Sequence, residues 1–161
     1  EVVADRLEAL GRPIVFDPVM VATSGSVLAD PATIAAFEWL LELATLTTPN
    51  VPELAALGGP GAMQERGVSY LAKGGDADGP MVEDRLVVPG QPDLVWSEAR
   101  ILTRHTHGTG CTLASAIATL LGQGLALEKA VAEGRRFVRA ALMAAPGFGG
   151  GAGPLGHQAV R

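Results

Sequence analysis

The sequence predicts an α/β fold with a mostly parallel sheet flanked by helices, and three observations carry that reading. Short apolar runs of strand length alternate with longer segments whose apolar residues recur at helical spacing. Turn formers stand where the period changes, at Asp17-Pro18, Pro49-Asn50 and Gly74-Gly75. Polar residues suited to chemistry (Asp17, Asn50 and Lys73) follow the apolar runs directly. In open parallel sheets ligands bind at just those carboxyl ends.

Taken in order, Val2, Val3, Leu7 and Leu10 make a short helical pattern that ends at Gly11, a glycine suited to a helix C-terminus. Residues 13–16 read as a strand stopped by Asp17-Pro18. Residues 32–43 read as a helix, with Asp30 as N-cap and Pro31 at the first helical position. A second strand over 44–48 ends at Pro49, and residues 52–57 form a brief helical turn. A third strand over 68–72 runs into Lys73-Gly74-Gly75. Residues 81–88 and 94–96 form an antiparallel excursion, with Pro89, Gly90, Gln91 and Pro92 between them. Two helices follow. Residues 112–122 turn Leu113, Ile117, Leu120 and Leu121 inward, and residues 127–144 turn in Ala130, Val131, Phe137, Val138, Ala141 and Leu142. The Gly-rich residues 146–156 are expected to be a mobile tail or loop. No internal repeat or linker interrupts the pattern, so residues 1–161 are read as one domain.

Bulk composition narrows the function. Hydrophobic residues make up 48% of the 161 and charged residues 18%, which fits a folded core and not disorder. A net charge of −5 argues against sequence-independent nucleic-acid binding, which needs a basic surface. It does not exclude an anionic ligand held by a locally positive site. The single cysteine, Cys111, permits no intramolecular disulfide and suits a reducing compartment. Residues 1–10 are charged and amphipathic with no apolar h-region, and no apolar run reaches the roughly 18 residues of a membrane span. The expectation is a soluble cytoplasmic protein with neither membrane nor nucleic-acid partner.

The sharpest chemical signal is Thr106-His107-Gly108-Thr109-Gly110-Cys111-Thr112, which opens into a helix. Glycines let the backbone turn tightly and approach a ligand. The first-turn amides of a helix lack internal acceptors, and with the helix dipole they form an anion site. In phosphoryl transfer such a site holds the charge that develops on the transferred group. The competing reading is an ordinary loop capped by Thr109 or Thr112. Cys111 stands where a helix N-terminus raises thiol reactivity, so it is a candidate proton acceptor or polar orienter; the alternative is a small buried residue. His105 and His107 are either phosphate contacts or solvated loop residues. No metal-ligand spacing links the three histidines and the cysteine. Lys73 before Gly74-Gly75 can set an ammonium on a phosphate. Asp17 and Glu53 can organise Mg²⁺ directly or through water. Against this, Glu53 also suits a helix's first turn and Asp17 a turn before Pro18.

In order, these segments resemble the hydroxymethylpyrimidine/phosphomethylpyrimidine kinases of the ribokinase-like superfamily. Residues 17–25, DPVMVATSG, are similar to that family's DPVMVAxSG. Residues 48–53, TPNVPE, are similar to its TPNxPE; Lys73-Gly74-Gly75 resembles its VKGG strand end; and residues 106–113, THGTGCTL, match its most recognisable motif. Cys111 matters here, because most ribokinase-like relatives carry Asp at that place. The resemblance covers nearly all of residues 11–145.

It implies a ribokinase-like fold and ATP- and Mg²⁺-dependent phosphorylation of 4-amino-5-hydroxymethyl-2-methylpyrimidine, then of its monophosphate, for thiamine synthesis. Carried over by residue, Gly108, Thr109, Gly110 and Cys111 form the anion hole, with Cys111 near the accepting oxygen. Lys73 contacts phosphates, with Gly74 and Thr106 beside the nucleotide. Asp17, Asn50 and Glu53 shape the Mg²⁺–ATP site, and Val19 and Met20 lie close to the pyrimidine. The family's earlier half has no counterpart in these residues, so the expected chain is the C-terminal portion of the fold, shortened at its N-terminus. It would be completed by a homodimer or by another chain. The stretch from Gly58 to Gly67 is shorter than the family's helical segment. Thr23, Asp76 and His105 stand where the family commonly has Lys, His and Asn. Two other readings stay open: a pyridoxal-type vitamin kinase, and a non-catalytic nucleotide-binding remnant.

Overall fold

A computed structural model describes residues 2–22 and 25–160. Thr23 and Ser24, part of the segment resembling DPVMVAxSG, lie outside the described residues. The chain folds as two compact units, Glu1–Arg100 and Ile101–Arg161.

The first unit is built on a five-stranded sheet in the order β1-β2-β3-β4-β5. Its strands are β1 (Val15–Phe16), β2 (Leu46–Thr47), β3 (Tyr70–Ala72), β4 (Met81–Val87) and β5 (Leu94–Ala99). The first three pair in parallel, with Val15 opposite Leu46 and Thr47 opposite Tyr70. The last two are the antiparallel excursion expected from the turn residues, with Leu71 opposite Leu86 and Asp84 opposite Trp96. The sheet is therefore mixed: parallel where helices return the chain, antiparallel where loops without a helix do.

The helices of this unit are α1 (Val2–Glu8), α2 (Pro31–Leu43), α3 (Val51–Ala56) and α4 (Gly59–Glu65). Asp30 caps α2 as expected, accepting from the Thr33 amide at 2.7 Å, with Pro31 in the first turn. The short stretch after Leu57 also forms a helix, α4, which buries Met63 completely. Met63 joins Met20, Leu41, Leu54, Leu57, Val68 and Tyr70 in the core, with Phe16 and Phe37 packed edge to face at 5.1 Å. Leu71, in the centre of β3, is fully buried. Leu71→Ala is expected to cost about 2–5 kcal/mol, from lost burial and the cavity left behind; chemical denaturation measures it directly.

The second unit packs α5 (Thr109–Gly122) against α6 (Leu127–Met143). Leu113, Ile117 and Leu121 of α5 and Ala130, Val131 and Ala141 of α6 are buried. Gly134 permits close approach, since a Cβ there would lie 2.9 Å from Ile117 Cγ1. Two expectations are corrected here. The first of these helices begins at Thr109, three residues before the expected start. Residues 146–156 are not a free tail: His107 bridges Pro154 in parallel, Gly153, Leu155 and Gly156 are buried, and a 3-10 turn follows over His157–Ala159.

Candidate active site

The parallel strands of the first unit deliver their carboxyl ends to one place. Asp17 follows β1, Thr48 and Asn50 follow β2, and Lys73 follows β3. Asn50 and Lys73 extend the parallel pairing by one bridge, and the Lys73 amide donates to Pro49 O at 2.9 Å. With the backbones so aligned, two side chains converge on Asp17 Oδ1. The Lys73 ammonium donates to it at 2.8 Å and the Thr48 hydroxyl at 2.7 Å. Glu53 Oε2 lies 3.9 Å from Lys73 Nζ. Only 14% of the Lys73 and Asp17 side chains and 7% of that of Glu53 are exposed, so water screens these charges weakly.

Asn50 and Glu53 form a capping box at the start of α3. The Asn50 amide donates to Glu53 Oε2 and the Glu53 amide to Asn50 Oδ1, each at 2.8 Å. The helix-start reading of Glu53 is thus what its hydrogen bond shows. Burial raises the Glu53 carboxyl above its ordinary value of 4.5, against the Asn50 amide and the Lys73 charge, which lower it. A raised folded pKa means that the native state holds this proton more tightly than the unfolded chain does. Glu53's stabilising contribution is therefore fullest below 4.5 and is lost as pH rises through the folded value. Glu53→Gln keeps the capping box and removes the titration. Relative to the variant, the wild type is expected to lose melting temperature as pH rises from below 4.5 through the raised folded value; a constant difference would contradict this.

Gly74 has no room for a side chain. A Cβ would lie 2.0 Å from the Glu83 carbonyl oxygen, and the Gly74 amide donates to Asp84 Oδ1 at 2.9 Å. Neither Thr48's bond to Asp17 nor Asp84's grip on Gly74 was expected from the sequence. Both partners are distant along the chain, though Thr48 stands inside the TPNVPE segment. Val19 is half-buried, while Met20 packs its side chain into the core.

Asp17 and Glu53 were the expected metal ligands. Among the described residues no group of three or more His, Cys, Asp or Glu is placed to hold a metal ion. Two carboxylates beside a lysine do fit Mg²⁺ that arrives with phosphate oxygens and water, the ordinary mode for this ion. They do not fit an all-protein cage.

In the second unit the loop over residues 106–108 feeds α5 through Gly108, whose φ of 83° lies in the left-handed region. Only glycine adopts that conformation freely. As N-cap residue Gly108 offers no side-chain acceptor, and α5 has no side-chain cap. The reading in which Thr109 or Thr112 caps the helix is excluded. Thr109 N–H donates to Thr106 O at 3.3 Å and Thr112 N–H to Gly108 O at 2.8 Å. The amides of Gly110 and Cys111 are left without an intrahelical acceptor. This is the chemistry of an anion site: free amides at the positive end of a helix of 14 residues.

Cys111 is exposed and free, not a small buried residue. With Thr112, Phe137 and His157 it lines a cleft of about 1000 Å³ beside α5. His105 faces the Gly-rich segment: a Cβ on Gly153 would lie 2.1 Å from its Nδ1, a buried atom without a hydrogen-bond partner. His107 contributes its backbone, donating to Gly153 O at 3.2 Å.

Similarity to known proteins runs across both units. Residues 1–156 match the family described as phosphomethylpyrimidine kinase. The hydroxymethylpyrimidine/phosphomethylpyrimidine kinase of Rhizobium meliloti is 38% identical, over 96% of this chain and 64% of that protein. The thiamine biosynthesis multifunctional protein ThiED of Corynebacterium efficiens is 39% identical, over 92% of this chain and 22% of that protein. The chain thus spans less than two thirds of the length of either relative. In structure it is similar to the pyridoxal kinase of Staphylococcus aureus in complex with AMP-PCP and pyridoxal. There the TM-score is 0.87 and the identity 26%, over 98% of this chain and 62% of that one. The ordered motifs, the ribokinase-like α/β architecture and a match over residues 1–156 lead to one assignment: the chain belongs to the phosphomethylpyrimidine kinase family.

Proposed function

We propose that the protein uses ATP to phosphorylate 4-amino-5-hydroxymethyl-2-methylpyrimidine and then its monophosphate, giving the diphosphate used in thiamine synthesis. The observation that carries this reading is the uncapped N-terminus of α5, where Gly108 leaves the Gly110 and Cys111 amides to an anion and Cys111 is exposed beside them.

The roles follow from the chemistry of each group. The acceptor oxygen attacks the γ-phosphorus, the bond to the ADP oxygen breaks, and negative charge spreads over the transferred phosphoryl oxygens. The amides of Gly110 and Cys111, with the turn at Gly108 and Thr109, stabilise that charge. Cys111 orients the acceptor hydroxyl and receives its proton. Lys73, fixed by Asp17, presents its ammonium to the phosphates, with Gly74 and Thr106 beside the nucleotide. Mg²⁺ would be held by Asp17 and Glu53, directly or through water, and would neutralise phosphate charge; Asn50 fixes the Glu53 carboxylate. Val19 flanks the pyrimidine, and Met20 supports that segment from the core.

No described helix is long and apolar enough to cross a membrane. We place the protein in the cytoplasm, as a homodimer or completed by another chain, with the two units acting as parts of one ribokinase-like domain.

A second reading, a pyridoxal-type kinase, is favoured by the likeness in structure to the pyridoxal kinase of Staphylococcus aureus. Substrate-dependent ADP release separates the two. With Mg²⁺ and ATP, hydroxymethylpyrimidine is expected to give kcat/KM at least about tenfold above pyridoxal, roughly 1.4 kcal/mol of discrimination. The reverse order would transfer the assignment to the second reading.

A further inference from the structure

We propose that His157 is a positioning residue for the anion loop, and that residues 147–157 form a strap holding that loop in its amide-presenting shape. This deepens the function proposed above and rests on it. The physical need for a strap comes from the loop itself. Gly108, Thr109 and Gly110 form a turn of high backbone freedom, and ordering glycine is entropically costly. The usual remedy is a capping side chain, but a cap would occupy the very amides that the anion requires. A helix start that must stay uncapped has to be fixed from outside.

The strap supplies that restraint on both sides of the turn. On the near side Arg104 donates to Gly149 O at 3.3 Å, and His107 N–H donates to Gly153 O at 3.2 Å. Gly153 lies so close to His105 that any larger residue would collide with the ring. On the far side His157 Nε2 and Thr112 Oγ1 are hydrogen-bonded at 2.9 Å. Thr112 in turn holds the turn's backbone through its amide on Gly108 O. His157 is itself fixed by stacking on Phe137, with ring centroids 6.2 Å apart and 20° between the planes. The strap is anchored to α6 by the Gly156 amide on Ala141 O at 2.9 Å. His157 thus acts on the anion amides through Thr112.

Two variants separate hydrogen bonding from packing. His157→Phe keeps an aromatic ring against Phe137 and loses the bond to Thr112. His157→Gln can place an amide where Nε2 stood. Amide hydrogen exchange over residues 106–112 and steady-state kinetics are measured on the whole protein. In His157→Phe, exchange is expected to quicken about five- to tenfold and kcat to fall by a similar factor, with KM for ATP within about twofold. His157→Gln restores both. Thr112→Val reproduces His157→Phe, and the double variant is no worse than either single one, as expected for one shared interaction. Wild-type exchange in His157→Phe, or no rescue by Gln, overturns the strap. Absence of pyrimidine turnover in the wild type would instead overturn the proposed function, while the exchange data still decide the strap.

Discussion

Cys111→Ala is expected to lower kcat by about 10²- to 10⁴-fold while leaving ATP binding measurable, the range for losing a positioned proton acceptor. The thiol occupies the third position of α5, exposed and beside the two amides that have no acceptor in the helix. Alanine is a good helix former, so the backbone that presents those amides survives the substitution. Charge stabilisation should persist and proton handling should fail. Single-turnover kinetics with an ATP-binding titration separate the two. Unchanged turnover would remove Cys111 from the chemistry; loss of ATP binding would show that the substitution disturbed the turn itself.

Lys73→Ala is expected to weaken ATP affinity at least about tenfold and to destabilise the fold by up to about 3 kcal/mol. Lys73 is the cation between two largely buried carboxylates, 2.8 Å from Asp17 and 3.9 Å from Glu53. Without it, two acids face each other, Asp17 held by the Thr48 hydroxyl and Glu53 by the Asn50 amide. The like-charge contact costs more as pH rises. The loss in melting temperature should therefore be larger at about pH 8 than at about pH 5, since burial raises the Glu53 carboxyl and its protonated form does not repel Asp17. Lys73→Ala/Asp17→Asn should recover stability without recovering ATP affinity. Recovery of both, or of neither, would contradict the division of roles.

The strand ends were readable in the sequence because Pro18, Pro49 and Gly74 stop the apolar runs sharply, which set Asp17, Asn50 and Lys73 at one edge of the sheet. Their pairing was not readable. The Lys73–Asp17 contact joins residues 56 apart, and no local pattern encodes which carboxylate a lysine will choose. Helix α4 was hidden for a propensity reason: Gly59, Pro60 and Gly61 in its first turn read as loop, and burial of Met63 overrides them. The start of α5 is masked for the same cause, since Gly108 and Gly110 give its first turn the composition of a loop. The Gly-rich segment after Pro146 carried the composition of a mobile tail. Its hydrogen bonds run through backbone carbonyls, which composition does not report, and its one informative side chain, His157, lies 45 residues from its partner Thr112.

The most direct test of the central claim is phosphorus NMR of the protein with Mg²⁺, ATP and 4-amino-5-hydroxymethyl-2-methylpyrimidine monophosphate, followed against a blank without the pyrimidine. Pyrimidine diphosphate and ADP are expected to appear together in equal amounts, and neither in the blank beyond slow ATP hydrolysis. ATP bound at the protein with no diphosphate formed would contradict it.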